Sequence, residues 1–344
     1  MPKRRRTEDG MSDEEPQDLT LEDNPEGPTV RSGEVWFDDG NIILRAGNTE
    51  FKVHRGVLAS HSPVFADMFQ VPQPTRGPTV DDCPEVRLHD DTFDVTYMLA
   101  ALYGKTDLLG SDGVLRFRAM RAMIRLGKKY QIEHLRNDGL RCLKREFTMT
   151  LEDFDKLDPD EYLNFSPLPK DSNPKAIDPV GTMVATINLA LECGIQSVLP
   201  AVYLLTTSNT LGEFLYHKDA SSIPFDAMRS CIYGREQLLQ EWLGSGNAHI
   251  SASTSISHTG DCKAASISLV RAASKCPDDL SNLLLPWVSL VERWDTLKQP
   301  SERLCRTCKQ NVQLSHDTWR RKVWEDLPKY FKLGVWGDLQ DAEM

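Results

Sequence analysis

The sequence predicts an α+β chain, a small mixed sheet with helical hairpins followed by a mainly α-helical C-terminal region. Three observations predict it. Residues 34–53 read as strand, turn, strand, turn, strand. The run FKVHRGVLASHSPVFADMF (51–69) then changes from alternating to helical spacing, and beyond about residue 180 apolar positions recur at helical spacing. A length of 344 residues gives room for about two domains, and a hydrophobic fraction of 40% is enough to build real cores.

Each element follows from local chemistry. VWF, IILRAG and EFKVH are separated by Asp39-Gly40-Asn41 and Gly47-Asn48, which supply the turns. Phe51 and Val53 alternate as a half-buried strand requires, whereas Val57, Leu58 and His61 fall at helical spacing. Ser62 and Pro63 give an N-cap hydroxyl and a proline at the first helical position. The segment VPQPTRGPTVDDCP (71–84) reads as a proline-rich, mobile loop. Val86–Leu88 is a further strand. A helix with Phe93, Tyr97 and Ala101 on one stripe, and Met98 and Leu102 beside it, ends at Tyr103–Gly104, where glycine permits a left-handed cap. Phe117, Met120, Ile124 and Leu126 mark the next helix, and Tyr130, Ile132, Leu135 and Leu143 carry helical packing to about Phe147.

Residues 151–179 hold five prolines and many acids and read as a linker lying on a surface. The helical C-terminal domain spans 180–344. Met183, Val184, Ile187, Ala190 and Leu191 form a face stopped by Cys193–Gly194. Val198, Leu199, Val202 and Leu205 form a second, and Met228, Ile232, Leu239 and Trp242 a third. Residues 244–260, GSGNAHISASTSISHTG, are a flexible insertion by composition. No internal repeat is visible, which sets aside kelch-like or ankyrin arrays.

Phe51, Val53, His54, Leu58, Ser62, Pro63, Phe65, Met68 and Phe69 stand where the BTB/POZ family carries its core motif, and LYG at 102–104 and KKYQIEHL at 128–135 match segments of that family in order. Residues 34–150 therefore resemble a BTB/POZ domain. The resemblance implies contacts with protein partners, the chain itself among them, rather than catalysis. BTB domains that form tight swapped dimers place a helix and strand ahead of the first core strand. Residues 1–33, with five basic and nine acidic side chains, lack the apolar pattern for these and read as disordered. A smaller interface or a heteromeric partner is then the expectation. A cullin adaptor is the alternative, but the hydrophobic-x-acid triplet of such adaptors is missing, because QVPQPT follows Met68–Phe69.

Six of the seven tryptophans lie at or after Trp242, and Cys305 and Cys308 stand at C-x-x-C spacing. Two thiolates so placed grip one side of a tetrahedral zinc ion. Cys262 and Cys276, or His316, are the candidates to complete it, although Cys262 and Cys276 are too far apart to form a second knuckle. Ordinary thiols are the first reading of this set, a structural zinc the second and a redox pair the third. The tail places Trp319, Val323, Leu327 and Phe331 at four-residue steps, a helix packed on its own domain and ended by Pro328; an exposed aromatic groove for a peptide is the competing reading. With Cys305, Cys308, Trp324, Leu327, Pro328 and Phe331 in this order, the chain resembles the large fungal (basidiomycete-type) BTB families.

Lys3, Arg4, Arg5 and Arg6 resemble a short nuclear import signal, with a solvated charge run as the competing reading. No run of about 18 uncharged apolar residues is present, so no membrane span is expected. The N-terminus reads as no secretory signal, which places the protein in nucleus or cytoplasm. A net charge of −11 disfavours nonspecific nucleic-acid binding. The resemblance to the BTB motif implies that His54 bonds a main-chain group and fixes its turn. His61 and His134 read as structural or exposed, and Asp38–Asp39 and Asp90–Asp91 as turn or cap pairs. No P-loop, G-x-S-x-G, H-E-x-x-H or Rossmann glycine set occurs, so no enzyme is expected.

Overall fold

A computed structural model describes residues 28–71, 79–81, 83–105, 117–157, 179–208, 211–246, 260–275, 280–293 and 295–343. The sheet contains β1 (Val30–Trp36), β2 (Ile42–Ala46), β3 (Thr49–Val53), β4 (Thr79–Val80) and β5 (Cys83–Leu88), in the order β1-β3-β2-β5-β4. β2 and β3 are an antiparallel hairpin whose turn is Gly47-Asn48, with Ala46 opposite Thr49. β1 runs parallel to β3 and β5 parallel to β2.

Two expectations about this sheet need correction. Residues 30–33, expected to be disordered, belong to β1: Val30 N–H donates to the Asn48 carbonyl at 2.8 Å, and Arg31 pairs with Asp81 at 2.8 Å. Backbone pairing and one ion pair order this stretch, and a search for apolar pattern sees neither. The loop 71–84 likewise contains β4 and the start of β5, paired antiparallel.

Helices α1 (Arg55–His61), α2 (Pro63–Gln70), α3 (Thr92–Leu102), α4 (Phe117–Lys129) and α5 (Glu133–Glu146) complete the first half. In α3 the buried face is Val95, Met98, Leu99 and Leu102. Phe93, expected on the inner stripe, is half exposed under the Arg118 guanidinium, 4.2 Å from its ring centre. Asp91 caps α3, accepting from the N–H groups of Phe93 and Asp94. Gly104 has φ +66°, as a left-handed cap requires.

A short helix α6 (Leu151–Phe154) follows, then α7 (Pro179–Cys193), α8 (Leu199–Ser208), α9 (Leu211–Leu215), α10 (Phe225–Glu241), α11 (Gly260–Ala273), α12 (Trp287–Arg293), α13 (Asp295–Glu302) and α14 (Arg306–Tyr330). The predicted linker is no surface connector at its start. Leu151 and Phe154 are buried, Phe154 lies 4.9 Å from the Trp324 ring, and Asp155 takes a two-pronged contact from Arg320 at 2.6 and 2.7 Å. The rest of that linker, 158–178, lies outside the described residues.

The predicted insertion 244–260 is trimmed at both ends. Residues 242–246 make a π-helical turn, fixed by Trp319 Nε1 donating to the Ser245 hydroxyl at 3.0 Å, and Gly260 opens α11. Residues 247–259 lie outside the described residues. In α10 the most buried positions are Ala227, Cys231, Gly234 and Leu238; of the predicted face Met228 and Leu239 pack half-buried on the core and Trp242 is fully buried, while Ile232 is partly exposed. Leu191 of α7 is likewise partly exposed.

The two halves share one contiguous core. Arg125 of α4 bridges them, reaching buried Asp94 at 3.2 Å and Glu192 of α7 at 3.0 Å. Burial pushes the Asp94 carboxyl up, and Arg121 and Arg125 pull it back only in part. The C-terminal stretch adds a second bridge. Asp341 accepts from Ser197 N–H at 3.0 Å and its hydroxyl at 2.9 Å, and pairs with Lys144 of α5 at 2.6 Å.

Candidate functional site

The strand-to-helix motif is assembled as its residues dictate. Phe51, Val53, Leu58 and Phe65 are fully buried, and Met68 and Phe69 pack half-buried on the same core. Ser62 accepts from Phe65 N–H at 3.1 Å and donates to the Tyr130 carbonyl at 2.5 Å, so one hydroxyl caps α2 and ties it to the end of α4. Pro63 occupies the first turn, where its missing N–H costs nothing. The Phe65 and Tyr130 rings stack at 4.6 Å. Arg55 closes the far end of α2, donating to the Phe69 carbonyl at 2.9 Å.

His54 fixes its turn by a route other than the expected one. Its ring does not bond the main chain: Nδ1 lies 3.1 Å from the Tyr103 hydroxyl and Nε2 3.2 Å from an Asp39 carboxylate oxygen. The main-chain bond is its own N–H, which donates to the same hydroxyl at 2.8 Å. Tyr103, at the end of α3, is the residue the motif alone did not reveal. Burial pushes its phenol up, keeping it protonated and able to donate. Asp39 is largely exposed, so this chain of contacts is an anchor for the β3–α1 turn and not a closed catalytic relay.

His61 and His134 come together, ring centres 4.9 Å apart, beside a shallow hollow of about 390 Å³ lined by Ser60, Pro63, Gln131 and Glu133. A separation of more than seventy residues hid that pairing in the sequence. Asp90 and Asp91 do separate structural work: Asp90 accepts from the Tyr130 hydroxyl and pairs with Lys129, while Asp91 caps α3.

The edges of the sheet bear on how a partner would dock. Between Arg31 and Trp36 the β1–β3 register is interrupted, and the N–H groups of Glu34 and Val35 both turn to the Ser32 hydroxyl, at 3.3 and 3.0 Å. The opposite edge, β4, is two residues long. The bulged edge resists pairing with a foreign strand, whereas β4 covers only Cys83 and Pro84 of β5. Exposed apolar side chains on this half include Val30, Val71 and Phe93.

In the helical half, Cys262 of α11 meets Cys305 and Cys308, which sit at the N-cap and in the first turn of α14. The three Sγ atoms lie within 4.8 Å of one another. Among the described residues no other such group of three His, Cys, Asp or Glu exists. Cys276 lies outside the described residues, as do Lys3, Arg4, Arg5 and Arg6. His316 is not part of the cluster. Eight residues beyond Cys308, it is about 12 Å further along the helix axis, and its Nε2 faces the Leu285 carbonyl at 3.0 Å. Elsewhere burial raises the thiols of Cys142, Cys193 and Cys231, which holds them protonated and poor as nucleophiles.

The tail residues Trp319, Val323, Leu327 and Phe331 are buried against the protein's own helices, so no aromatic groove is open there. Pro328 does not end the helix, which continues to Tyr330.

Residues 37–145 match the BTB/POZ domain family. Over 141 residues the chain is 25% identical to BTB and MATH domain-containing protein 42 of Caenorhabditis elegans, a stretch that covers 39% of this chain and 32% of that protein. The chain thus spans about a third of the length of this curated relative. No solved structure matches it. No helix among the described residues is long and apolar enough to cross a membrane. Motif, sheet, helical hairpin and family match agree: residues 37–145 are a BTB/POZ domain, and a helical region follows it.

Proposed function

We propose that this chain is a non-enzymatic protein-interaction protein that acts through its BTB/POZ domain, by self-association or by holding a different chain. The observation that carries the reading is the match of residues 37–145 to an interaction module. The blunted β1 edge favours docking through side chains, with Phe93 and Val71 as the exposed apolar candidates, over strand exchange at that edge. Residence in the nucleus or cytoplasm and a part in nuclear regulation go with this reading. So does kinship with the fungal families that share Cys305, Cys308 and the Trp324–Phe331 pattern.

Light scattering on the full chain across a concentration series is the test. A concentration-dependent dimer that Phe93→Asp returns to monomer supports self-association. A constant monomer supports a heteromeric partner only where crosslinking in cell extract captures a defined chain and Phe93→Asp or Val71→Asp abolishes that capture. A monomer that captures none overturns the proposal. The cullin-adaptor alternative has the Gln70–Val71 sequence against it, and stoichiometric binding to a cullin N-terminal domain would reverse that ranking.

A further inference from the structure

We propose that Cys262, Cys305 and Cys308 form a thiolate site for one Zn²⁺ ion, which clamps α11 to the N-terminus of α14. The inference is independent of what the BTB/POZ domain binds. Tetrahedral zinc with Zn–S bonds near 2.3 Å holds its sulfurs about 3.8 Å apart. The three Sγ atoms already lie within 4.8 Å of one another, so small rotations of the side chains close the cage. Two come from the C-x-x-C turn and one from a different helix, which makes the ion a cross-link between elements.

Three local features suit a bound cation here. Cys305 N–H donates to the Cys262 sulfur at 3.2 Å, a main-chain bond that stabilises charge on that atom. The sulfurs gather at the start of a 25-residue helix, whose N-terminal dipole favours negative charge. Cys262 and Cys308 are buried while Cys305 is half exposed, so the cluster is shielded yet open on one side to an entering ion. Soft sulfur donors select zinc over magnesium or calcium. As the ion binds, each thiol that was protonated gives its proton to solvent, and no electrons are transferred. Three protein donors leave the fourth position for a further ligand.

The test is metal analysis of the full chain purified under reducing conditions, read together with its absorption spectrum after cobalt replacement. The expected result is one zinc per chain, released by a thiol-blocking mercurial, and a sulfur-to-cobalt charge-transfer band. Cys305→Ser, the least buried of the three, should bind zinc at least tenfold more weakly. Cys305→His should restore binding, and Cys142→Ser, outside the cluster, should leave it intact. The cobalt spectrum of the unaltered protein decides the matter even where a variant fails to fold. The proposal is overturned by metal-free protein that gives no charge-transfer band, by full zinc retention in Cys305→Ser, or by a Cys305–Cys308 disulfide in freshly isolated protein.

Discussion

The indole N–H of Trp336 donates to the main-chain carbonyl of Trp324 across 2.8 Å. That carbonyl lies four residues before Pro328, the position whose N–H would serve it in an unbroken helix, and proline has none. Trp336 therefore supplies the donor that Pro328 withholds, and its ring stacks on Trp324 at 5.8 Å. Trp336→Phe should cost about 1 kcal/mol of stability by leaving the carbonyl short of a partner. Pro328→Ala restores a backbone N–H, so the cost of Trp336→Phe should shrink in that background. Urea denaturation of the four proteins in the cycle measures the coupling.

Gly234 of α10 lies directly beneath Phe331. A Cβ at 234 would stand 2.0 Å from Phe331 Cδ1 and 2.2 Å from Cε1. Gly234→Ala gains about 1 kcal/mol in helix propensity, yet the buried ring has no room to give. The net loss should be about 2–3 kcal/mol, read as a fall in melting temperature. Phe331→Leu in the same background should recover part of it.

Ser62→Ala removes both a cap and a link. The capping bond to Phe65 N–H and the bond to the Tyr130 carbonyl go together. The expected cost is about 2 kcal/mol, and faster hydrogen exchange should concentrate in α2 and at the end of α4.

Asp341 predicts an acid-sensitive seam between the two halves. Burial alone would raise its carboxyl, but the bonds from Lys144 and Ser197 outweigh it and hold the pKa below the usual carboxylate value. Its contribution to stability is complete above about pH 4 and is lost as pH falls through the depressed folded-state value. Asp341→Asn should lower stability at neutral pH and flatten the acid limb of the stability curve. An unchanged slope between pH 5 and pH 3, by denaturant titration, would contradict this.

Much of the first half was legible in its residues. The Phe51–Phe69 motif, the Ser62–Pro63 helix start and the Gly104 stop are local features, and they formed where local chemistry put them. What the sequence hid depended on partners far away in the chain. β1 begins early because Val30 finds Asn48 and Arg31 finds Asp81. Phe93 turns outward because Arg118 offers it a cationic cover. At the cysteine cluster, spacing identified Cys305 and Cys308, and Cys262, one of the candidates to complete the set, lies beside them. His316 was a false candidate because a buried carbonyl, Leu285, claimed its ring nitrogen. Asp341 lies in no motif and had no signal in the sequence; Tyr103 lies in the LYG segment at 102–104, but nothing local paired its hydroxyl with His54.

Phe154 inserted beside Trp324, with Asp155 held by Arg320, has a practical corollary for anyone excising the first domain. A fragment cut near residue 150 would leave α4 without α7 and α5 without the C-terminal stretch around Asp341, and naked apolar surface of that kind sticks to itself. Dimers seen with such a fragment would report the scalpel and not the biology, so assembly is best weighed on the intact polypeptide.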